Sequence, residues 1–547
     1  MLGALEMVAF AAGFALLTWE VLRTFLRRRD FTWWLVPGLF LGLAGSFAGY
    51  KAMALHLLVP IDNLAWFAGF ALIVAWVWFK GRRRAAPIDG DRILRGSALA
   101  SSQDMMTAMY RKDAAKGDFA GQIRLGDVVV PWEVETQHLL FSGTTGSGKT
   151  QAINRVLAVV RERGKRALVA DSGGSFLSRF HRSGDLIFNP FDARSVDWSP
   201  FAEIRAEYDC PRIAKAAIPD ASGDAQEWHH YAQTLLSETM LAMHKEGNRS
   251  IRMLMHYLTV ADTKELAETL AGTPAAILCV KGNDKMLSNT RAIIATYLVA
   301  WRYLPDEGRF SVRDWIRNET SPAWLFVTFR DDQLGMLRSL VATMLELGIV
   351  EGLSLSEDSS RDLWFVMDEV DSLGKVTSLR AGLTRLRKYG CKCVLGLQTI
   401  SQLRATYGND EAQTLLANVS TKAVLRAGDG ETAEYFSKEF GDQEIERQQW
   451  SSTSGSSSSG LFNGSASQSS SSTEVRETRR TVLASQISTL PDLHGFLKVP
   501  RAPIGYIRMT YEKWPEVAPA FVEAGAPRPT PGLPFGELRL VSKATGD

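Results

Sequence analysis

The stretch FSGTTGSGKTQ, residues 141–151, decides the fold of this 547-residue chain. It follows an apolar run, HLLF, and precedes a helical pattern, AINRVLAVVRER. Gly143, Gly148, Lys149 and Thr150 satisfy the spacing G-x-x-x-x-G-K-[ST]. Because a strand pattern precedes the motif and a helix pattern follows it, we interpret it as a phosphate-binding P-loop rather than as a glycine-rich turn.

The residue types of this loop follow from the chemistry of phosphate. Glycines let the backbone curl so that several N–H groups point at one phosphate, where the following helix adds its positive end. Lys149 is expected to reach the β- and γ-phosphate oxygens, and the Thr150 hydroxyl is expected to bind Mg²⁺. The predicted nucleotide-binding residues of the loop are Gly143, Thr144, Thr145, Gly146, Ser147, Gly148, Lys149 and Thr150.

A second motif, DLWFVMDE, is an apolar run that ends in Asp368 and Glu369. We expect Asp368 to hold Mg²⁺, directly or through water, and Glu369 to polarise the attacking water as a general base. The simpler alternative is an acidic pair that caps the next helix.

Two later residues complete the predicted site. Gln398 ends the strand pattern KCVLGLQ, so it is either a sensor of the γ-phosphate at the same sheet edge or a plain strand-end amide. Arg387 lies in the basic segment LRAGLTRLRKYG, which is either a solvated helix face or the carrier of an arginine that acts in trans across a subunit boundary. The predicted catalytic residues are therefore Lys149, Glu369 and Arg387.

Short apolar runs such as RALVAD, AWLFVTF and TKAVLRAG alternate with helical patterns. This alternation predicts an α/β fold with a mostly parallel sheet covered by helices on both faces. Strand signals vanish within 201–306, which predicts an all-α insert that divides the nucleotide-binding domain into 85–200 and 307–510. The serine-rich segment 451–473 is predicted to be a mobile loop, and 511–547 a C-terminal tail.

Residues 1–84 predict a transmembrane helical region. Two apolar segments form a helical hairpin over about 31–80, and arginine triplets at 27–29 and 82–84 keep both of its ends in the cytoplasm. A further apolar segment, about 3–22, is either a third span or a helix in the membrane interface. The ATPase domain is therefore expected in the cytoplasm.

Composition excludes several classes of protein. The 62 Lys plus Arg nearly balance the 60 Asp plus Glu, so binding to nucleic acid would depend on local basic patches. Cys391 and Cys393 lack further metal ligands nearby, which favours buried thiols over a zinc site. The apolar N-terminal segments argue against a soluble kinase, and the absence of an LSGGQ-type signature argues against an ABC transporter.

Several motifs together resemble one family, the coupling proteins of type IV secretion and bacterial conjugation (TrwB/TraD-like). They are FSGTTGSGKT, DSGGSFLSRF with DLIFNPFDARSVDWSPF, EWHHYAQTLLSET, FVMDEVDSL, GLQTISQL and LPDLHGFLKVP. The resemblance covers almost the whole chain. It implies a RecA-like P-loop ATPase with an all-α insert, assembled as a homo-hexamer around a channel beneath a membrane stem, with the stem in the bacterial inner membrane.

The resemblance also implies cofactors, partners and a function. The cofactors are ATP and Mg²⁺, and the partners are single- or double-stranded DNA, relaxase and other relaxosome proteins, and components of the type IV secretion channel. The implied function is to link the relaxosome to the channel and to drive DNA transfer by ATP hydrolysis. One alternative is a receptor that recruits protein cargo without pumping DNA, and another is an FtsK-like DNA translocase.

The family's functional positions carry over to individual residues. Lys149, Thr150, Asp368, Glu369 and Gln398 match its P-loop, acidic pair and strand-end glutamine. Arg387 matches the position proposed as the family's arginine finger, although a contact to DNA is an alternative role for it. Trp228 matches an aromatic residue in the family's all-α insert.

The chain departs from the family at one turn. The family commonly has D-P-x-G, whereas this chain has Asp171-Ser172-Gly173-Gly174 without the proline. Asp171 and Gly174 remain, so we expect the turn to persist. The family usually has a residue with a side chain at the position of Gly173, and this chain is not expected to make the contact of that side chain.

Overall fold

The computed structural model describes residues 92–110, 119–221, 223–458 and 464–525. The predicted membrane region, 1–84, lies outside these ranges, as does the end of the predicted tail from 526 onward. Strands and helices alternate through the described residues, as the sequence predicts.

Fifteen strands are found in the described residues, and ten of them join in one sheet. The strands are β1 (Arg92–Gly96), β2 (Leu99–Ala100), β3 (Arg124–Leu125), β4 (Val128–Val129), β5 (Leu139–Ser142), β6 (Arg166–Ser172), β7 (Leu186–Phe188), β8 (Leu325–Phe329), β9 (Leu363–Met367), β10 (Cys391–Leu397), β11 (Thr421–Val424), β12 (Asp442–Ser458), β13 (Gly464–Arg480), β14 (His494–Lys498) and β15 (Ile504–Arg508).

The ten-stranded sheet has the order β2-β15-β14-β11-β5-β10-β9-β6-β8-β7. Within it only β14 runs antiparallel to its neighbours, β11 and β15. All other pairings are parallel. The sheet is therefore mostly parallel, as predicted, and mixed towards one edge.

The helices of the described residues cover both faces of this sheet. They are α1 (Ser102–Tyr110), α2 (Trp132–Glu135), α3 (Lys149–Glu162), α4 (Ser175–Phe180), α5 (Asp209–Ala217), α6 (Ala225–Lys245), α7 (Ile251–Thr259), α8 (Thr263–Thr269), α9 (Asp284–Tyr297), α10 (Val312–Arg317), α11 (Asp331–Gly352), α12 (Leu379–Arg385), α13 (Ile400–Tyr407), α14 (Asn409–Ala417), α15 (Gly430–Phe440) and α16 (Ala484–Ser488).

Burial on both faces explains why the central strands read as continuous apolar runs. In β6, Ala167 and Val169 belong to one apolar cluster, which contains α3 and α4. Leu168 and Ala170 belong to the other cluster, which contains α11 and α12. Successive side chains of a strand point to opposite faces, so a strand that is covered on both sides has no polar face.

The helix α11 is the one described helix that is long and apolar enough to cross a membrane. However, 61% of its apolar window is buried inside the fold. It packs against the sheet and against α5, where the Ser339 hydroxyl donates to the carbonyl oxygen of Ala217 at 2.8 Å. We therefore interpret α11 as a core helix.

The segment 201–306, between β7 and β8, contains the helices α5 to α9. Its described residues within 201–306 form helices and turns, and none of them forms a strand. Its apolar side chains continue the cluster that includes α11, because Leu235, Leu254 and Trp301 are all buried in that cluster. The segment is thus attached to one face of the sheet by a shared core.

The structure corrects the loop predicted at 451–473. β12 and β13 pair without interruption from Asp442↔Arg480 to Ser458↔Gly464, so the prediction is wrong for 451–458 and 464–473. Serine and glycine cannot form an apolar core, but antiparallel pairing satisfies their backbone N–H and C=O groups without one. β1 adds a third strand at the base of this ribbon.

Candidate functional site

The predicted P-loop lies between β5 and α3, at the carboxyl edge of the sheet. Gly146 and Gly148 have φ angles of +80° and +109°, which residues other than glycine rarely adopt. The helix α3 begins at Lys149, so its positive end and its unpaired N–H groups meet the loop. Thr150 follows in the first turn and is half-buried.

Backbone hydrogen bonds hold the start of the loop in the sheet. The N–H of Gly143 donates to the carbonyl oxygen of Leu397 at 3.1 Å, and the N–H of Thr144 donates to that of Arg426 at 2.9 Å. A Cβ atom at Gly143 would lie 2.4 Å from Oγ of Ser147, so the turn has no room for a side chain there. The loop is therefore fixed by both neighbouring strands.

The acidic pair follows β9 and lies opposite the P-loop lysine. Nζ of Lys149 is 3.9 Å from Oδ1 of Asp368 and 4.0 Å from Oε1 of Glu369. Lys149 and Asp368 are each only 7% exposed. The charges attract, but Nζ and Oδ1 have no hydrogen-bond partner among the described residues. A buried donor and a buried acceptor are thus left for a ligand.

The strand β10 lies between β5 and β9, so Gln398, which follows β10, falls between the P-loop and the acidic pair. Nε2 of Gln398 donates to Oε1 of Glu369 at 2.5 Å. This bond leaves the second carboxylate oxygen of Glu369 available and fixes its orientation. The sequence predicted Gln398 at this edge, and the structure brings it into contact with the predicted base.

Other buried side-chain atoms without a hydrogen-bond partner among the described residues collect at the ends of neighbouring strands. Besides Nζ of Lys149 and Oδ1 of Asp368, they include the hydroxyl oxygens of Ser142 and Thr328 and the Oδ1 atoms of Asp171 and Asp371. Burial raises the pKa of Asp368, and the nearby Lys149 partly offsets this rise. Burial also raises the pKa of Asp371 to about 6. This edge of the sheet thus holds buried polar atoms with unused hydrogen-bonding capacity.

These residues fit a nucleotide with Mg²⁺. The positive end of α3 and the Lys149 ammonium suit phosphate, and the Thr150 hydroxyl and Asp368 carboxylate are the oxygen ligands that Mg²⁺ prefers. No group of three or more His, Cys, Asp or Glu that could hold a metal is found in the described part of the chain.

Arg387 does not lie at this edge. It belongs to a short 3₁₀ turn, Leu386–Tyr389, that precedes β10, whereas Gln398 follows that strand. The seven residues of β10 therefore separate Arg387 from the P-loop of its own chain, by about 20 Å at the usual strand rise. Arg387 is exposed at the amino edge of the sheet.

A family model described as the type IV secretion-system coupling protein DNA-binding domain matches residues 122–510. The chain belongs to this family. It is 28% identical over 456 residues to the coupling protein TraD of Escherichia coli K12 and 26% identical over 378 residues to a conjugal transfer protein TraG of Escherichia coli. These matches cover 81% and 60% of this chain, and the chain spans 62% and 58% of the length of those relatives.

Solved structures of the conjugative coupling protein TrwB resemble this fold closely. The complex of TrwB with the ATP analogue ADPNP is 33% identical and has a TM-score of 0.70, with 79% of this chain and 98% of that chain covered. The complex with ADP and Mg²⁺ is 34% identical and also has a TM-score of 0.70, with coverage of 81% and 99%. The likeness supports a RecA-like α/β fold with a mixed sheet for this coupling-protein family member.

The turn after β6, which lacks a proline, is held by the buried Asp171. Oδ2 of Asp171 accepts hydrogen bonds from the N–H groups of Phe176 and Leu177, at 2.9 and 2.7 Å. Burial raises the pKa of Asp171 to about 7, although these two bonds oppose the rise. Gly173 and Gly174 both have positive φ, +73° and +70°, a backbone conformation that glycine adopts without strain.

A C-terminal segment, 509–524, lies against this site, and sequence analysis missed it. Gln151 of α3 donates to the carbonyl oxygen of Glu512 and accepts from the indole N–H of Trp514, both at 3.1 Å. One turn later, Arg155 donates to the carbonyl oxygen of Thr510 at 2.8 Å. The predicted tail, 511–547, is therefore anchored on the P-loop helix over its described part.

The same segment continues across the turn after β6. The N–H of Val517 donates to the carbonyl oxygen of Ser178 at 2.7 Å, and Arg194 donates to that of Pro519 at 2.9 Å. A Cβ atom at Gly174 would lie 2.4 Å from the carbonyl oxygen of Ala520. In the sequence, the one feature that could have indicated this close approach is the glycine at position 174.

Trp228 is half-buried near the start of α6, far along the chain from the P-loop motifs. Its ring meets that of Tyr231 at 5.9 Å in an edge-to-face arrangement. The Tyr231 hydroxyl in turn donates to Glu227 at 2.6 Å. These contacts explain how Trp228 is held, and they do not join it to the predicted site.

Proposed function

We propose that this chain is the coupling ATPase of a conjugative type IV secretion system. In this proposal it binds DNA, links the relaxosome to the secretion channel and drives DNA transfer by hydrolysing ATP. The observation that carries the proposal is the buried pair of Lys149 and Asp368, which lack hydrogen-bond partners beside a Glu369 that Gln398 orients. TrwB, which shares the fold, was solved with ADPNP and with ADP and Mg²⁺.

The P-loop is the proposed binding site for the phosphates of ATP. Backbone N–H groups of 143–148 and the positive end of α3 would bind the phosphate oxygens, and the Lys149 ammonium would neutralise their charge. The Thr150 hydroxyl and the Asp368 carboxylate would hold Mg²⁺, which lowers the charge that develops on the phosphate oxygens.

Glu369 is the proposed general base. Its carboxylate would accept a proton from a water molecule placed for attack on the γ-phosphate. Gln398 Nε2 holds one carboxylate oxygen of Glu369 at 2.5 Å, so the other oxygen is the proton acceptor. Gln398 follows the strand that lies between the two motifs, and it is hydrogen-bonded to Glu369. A shift of Gln398 on loss of the γ-phosphate would therefore also move Glu369.

Arg387 is the proposed arginine finger, and its position requires it to act in trans. It is exposed at the amino edge of the sheet, whereas the P-loop lies at the carboxyl edge of the same sheet. A ring of subunits would bring the amino edge of one sheet to the P-loop of the next. Such an arginine stabilises the charge of the transition state, an effect worth on the order of 10³-fold or more in turnover.

The remaining features of the proposal concern assembly and partners. We propose a homo-hexamer in the bacterial inner membrane, anchored by more than one span within 1–84, with the domain of 85–510 in the cytoplasm and an all-α insert at 201–306. DNA would pass along local basic surfaces, because the overall charge is close to neutral. Relaxase and the secretion channel are the proposed protein partners.

The test is ATP turnover by the full-length chain in lipid nanodiscs, with and without single- and double-stranded DNA. We expect DNA to stimulate turnover, and added salt to weaken the stimulation because phosphate contacts release counterions. Glu369→Gln should abolish turnover and retain ATP binding. Turnover that DNA leaves unchanged in hexameric protein would replace the pump with a receptor that recruits protein cargo.

A further inference from the structure

Three backbone carbonyl groups near Arg387 accept hydrogen bonds, one at the end of α12 and two in the short turn that carries Arg387. Nε2 of His138 lies 3.1 Å from the carbonyl oxygen of Leu383. The N–H of Asp358 donates to the carbonyl oxygen of Lys388 at 3.2 Å, and Nη1 of Arg361 donates to that of Tyr389 at 2.9 Å. These three hydrogen bonds fix the backbone on both sides of Arg387 and leave the arginine side chain exposed.

The hydrogen bonds of His138 define its tautomer. Its Nδ1 accepts from the N–H of Cys393 at 3.0 Å, so that nitrogen carries no proton. Nε2 must therefore carry the proton that is donated to Leu383. Burial and the charge of the nearby Arg387 together lower the pKa of His138 to about 4, although the bond to Leu383 opposes them, so the ring is neutral. His138 is 1% exposed.

His138 also belongs to the P-loop strand. It directly precedes β5, whose other end continues into the P-loop. Its φ is +65°, a conformation that is uncommon outside glycine. That conformation turns the side chain from the start of β5 towards β10 and α12, both of which flank Arg387. One short strand thus has a phosphate-binding loop at one end and, at the other, a contact to the helix α12 that leads into the Arg387 turn.

We infer that His138 is a positioning residue for Arg387: it holds the arginine turn in register with the strand that carries the P-loop. The inference rests on the proposed trans role of Arg387. A side chain as long as arginine can reach many places, so the placement of its Cα atom decides whether the guanidinium meets a neighbouring site. Misplacement of a catalytic group by about 1 Å can cost on the order of a hundredfold in rate.

The test uses His138→Asn in the full-length chain. Oδ1 of asparagine occupies the place of Nδ1 and keeps the bond from Cys393, whereas the bond to Leu383 is lost. Asparagine also tolerates positive φ. We expect kcat to fall about tenfold with little change in KM. We also expect faster amide hydrogen exchange in the peptide that covers 383–390.

Two comparisons separate positioning from general damage. Trp324→Phe is the matched control, because it also removes one bond from a buried ring N–H to a backbone carbonyl, that of Lys165 at 2.7 Å. It should lower Tm and leave kcat unchanged. The second comparison is the double variant with Arg387→Ala. If His138 acts through Arg387, His138→Asn should lower kcat no further in that background.

The outcomes are distinct. Full turnover in His138→Asn, or an equal fold-loss with and without Arg387, would overturn the inference and leave the proposed function standing. Unchanged turnover in Arg387→Ala would remove the finger from the proposed function, and the inference with it. Unchanged exchange in 383–390 would show that His138 does not hold the turn.

Discussion

The ammonium group of Lys149 lies 3.9 Å from Oδ1 of Asp368, and neither atom has a hydrogen-bond partner in the described part of the chain. Both side chains are nearly buried. A folded protein rarely leaves such atoms without partners unless a ligand completes them. The pair therefore has a measurable consequence for stability in the presence of nucleotide.

We expect ADP with Mg²⁺ to raise the Tm of the full-length protein. At a ligand concentration of about 100 times Kd, the free energy of unfolding should increase by about 2.7 kcal/mol. Lys149→Ala should abolish this rise, because the phosphates lose their charged partner. Lys165→Ala removes an exposed lysine that lies three residues beyond the end of α3 and should leave the rise intact. A full rise in Lys149→Ala would contradict the assignment.

A second prediction concerns Gln398. Gln398→Ala removes the hydrogen bond that orients Glu369, so kcat should fall about tenfold, a part of what a general base contributes. KM should change little, since the P-loop contacts remain. Gln402→Ala is the control. Gln402 lies on the adjacent helix α13, and its replacement removes only a side-chain hydrogen bond from the Thr399 hydroxyl. Steady-state ATPase rates measure both constants. A variant with unchanged kcat and a raised KM would contradict the proposed role of Gln398 in orienting Glu369.

The fold and the motif positions could be predicted from the sequence for a physical reason. Parallel strands that are buried on both faces read as continuous apolar runs, and functional residues follow their carboxyl ends. Asp368, Glu369 and Gln398 each follow such a run, so sheet geometry alone brings them to the P-loop. No long-range contact had to be known.

Contacts between distant segments could not be predicted in this way. The segment 509–524 has no strand or helix pattern, and the side chains of Gln151 and Arg155 bind backbone carbonyl groups of this segment, which any residue type provides. His138 lies beside the P-loop motif, but its partner Leu383 is 245 residues away. The ribbon of β12 and β13 was missed because strand pairing needs no apolar residues.

Two adjacent glycines test whether the segment 509–524 is anchored at the turn after β6. Gly173 and Gly174 have nearly equal φ angles, so alanine costs about 1 kcal/mol of backbone strain at either position. A Cβ atom at Gly173 meets nothing within 4 Å, whereas one at Gly174 would clash with the carbonyl oxygen of Ala520. We expect Gly174→Ala to lower Tm more than Gly173→Ala, the matched control.

The same pair of variants should differ in proteolysis. If Ala520 is displaced, cleavage within 511–525 should be faster in Gly174→Ala than in Gly173→Ala, because cleavage requires local release of the chain. Equal Tm values together with equal cleavage rates would mean that the contact at Gly174 does not anchor the segment.

The buried Asp171 predicts a dependence of stability on pH. Burial raises its pKa from 3.8 to about 7, so the folded state binds a proton that the unfolded state releases. The stabilisation from this group is complete below about pH 4 and is lost as pH rises through about 7. Asp171→Asn stays neutral and keeps one oxygen for the N–H groups of Phe176 and Leu177. Its Tm should therefore fall less than that of the unmodified protein between about pH 5 and about pH 8. Thermal unfolding of both proteins across that range measures the difference, and two parallel curves would show that Asp171 titrates alike in the folded and unfolded states.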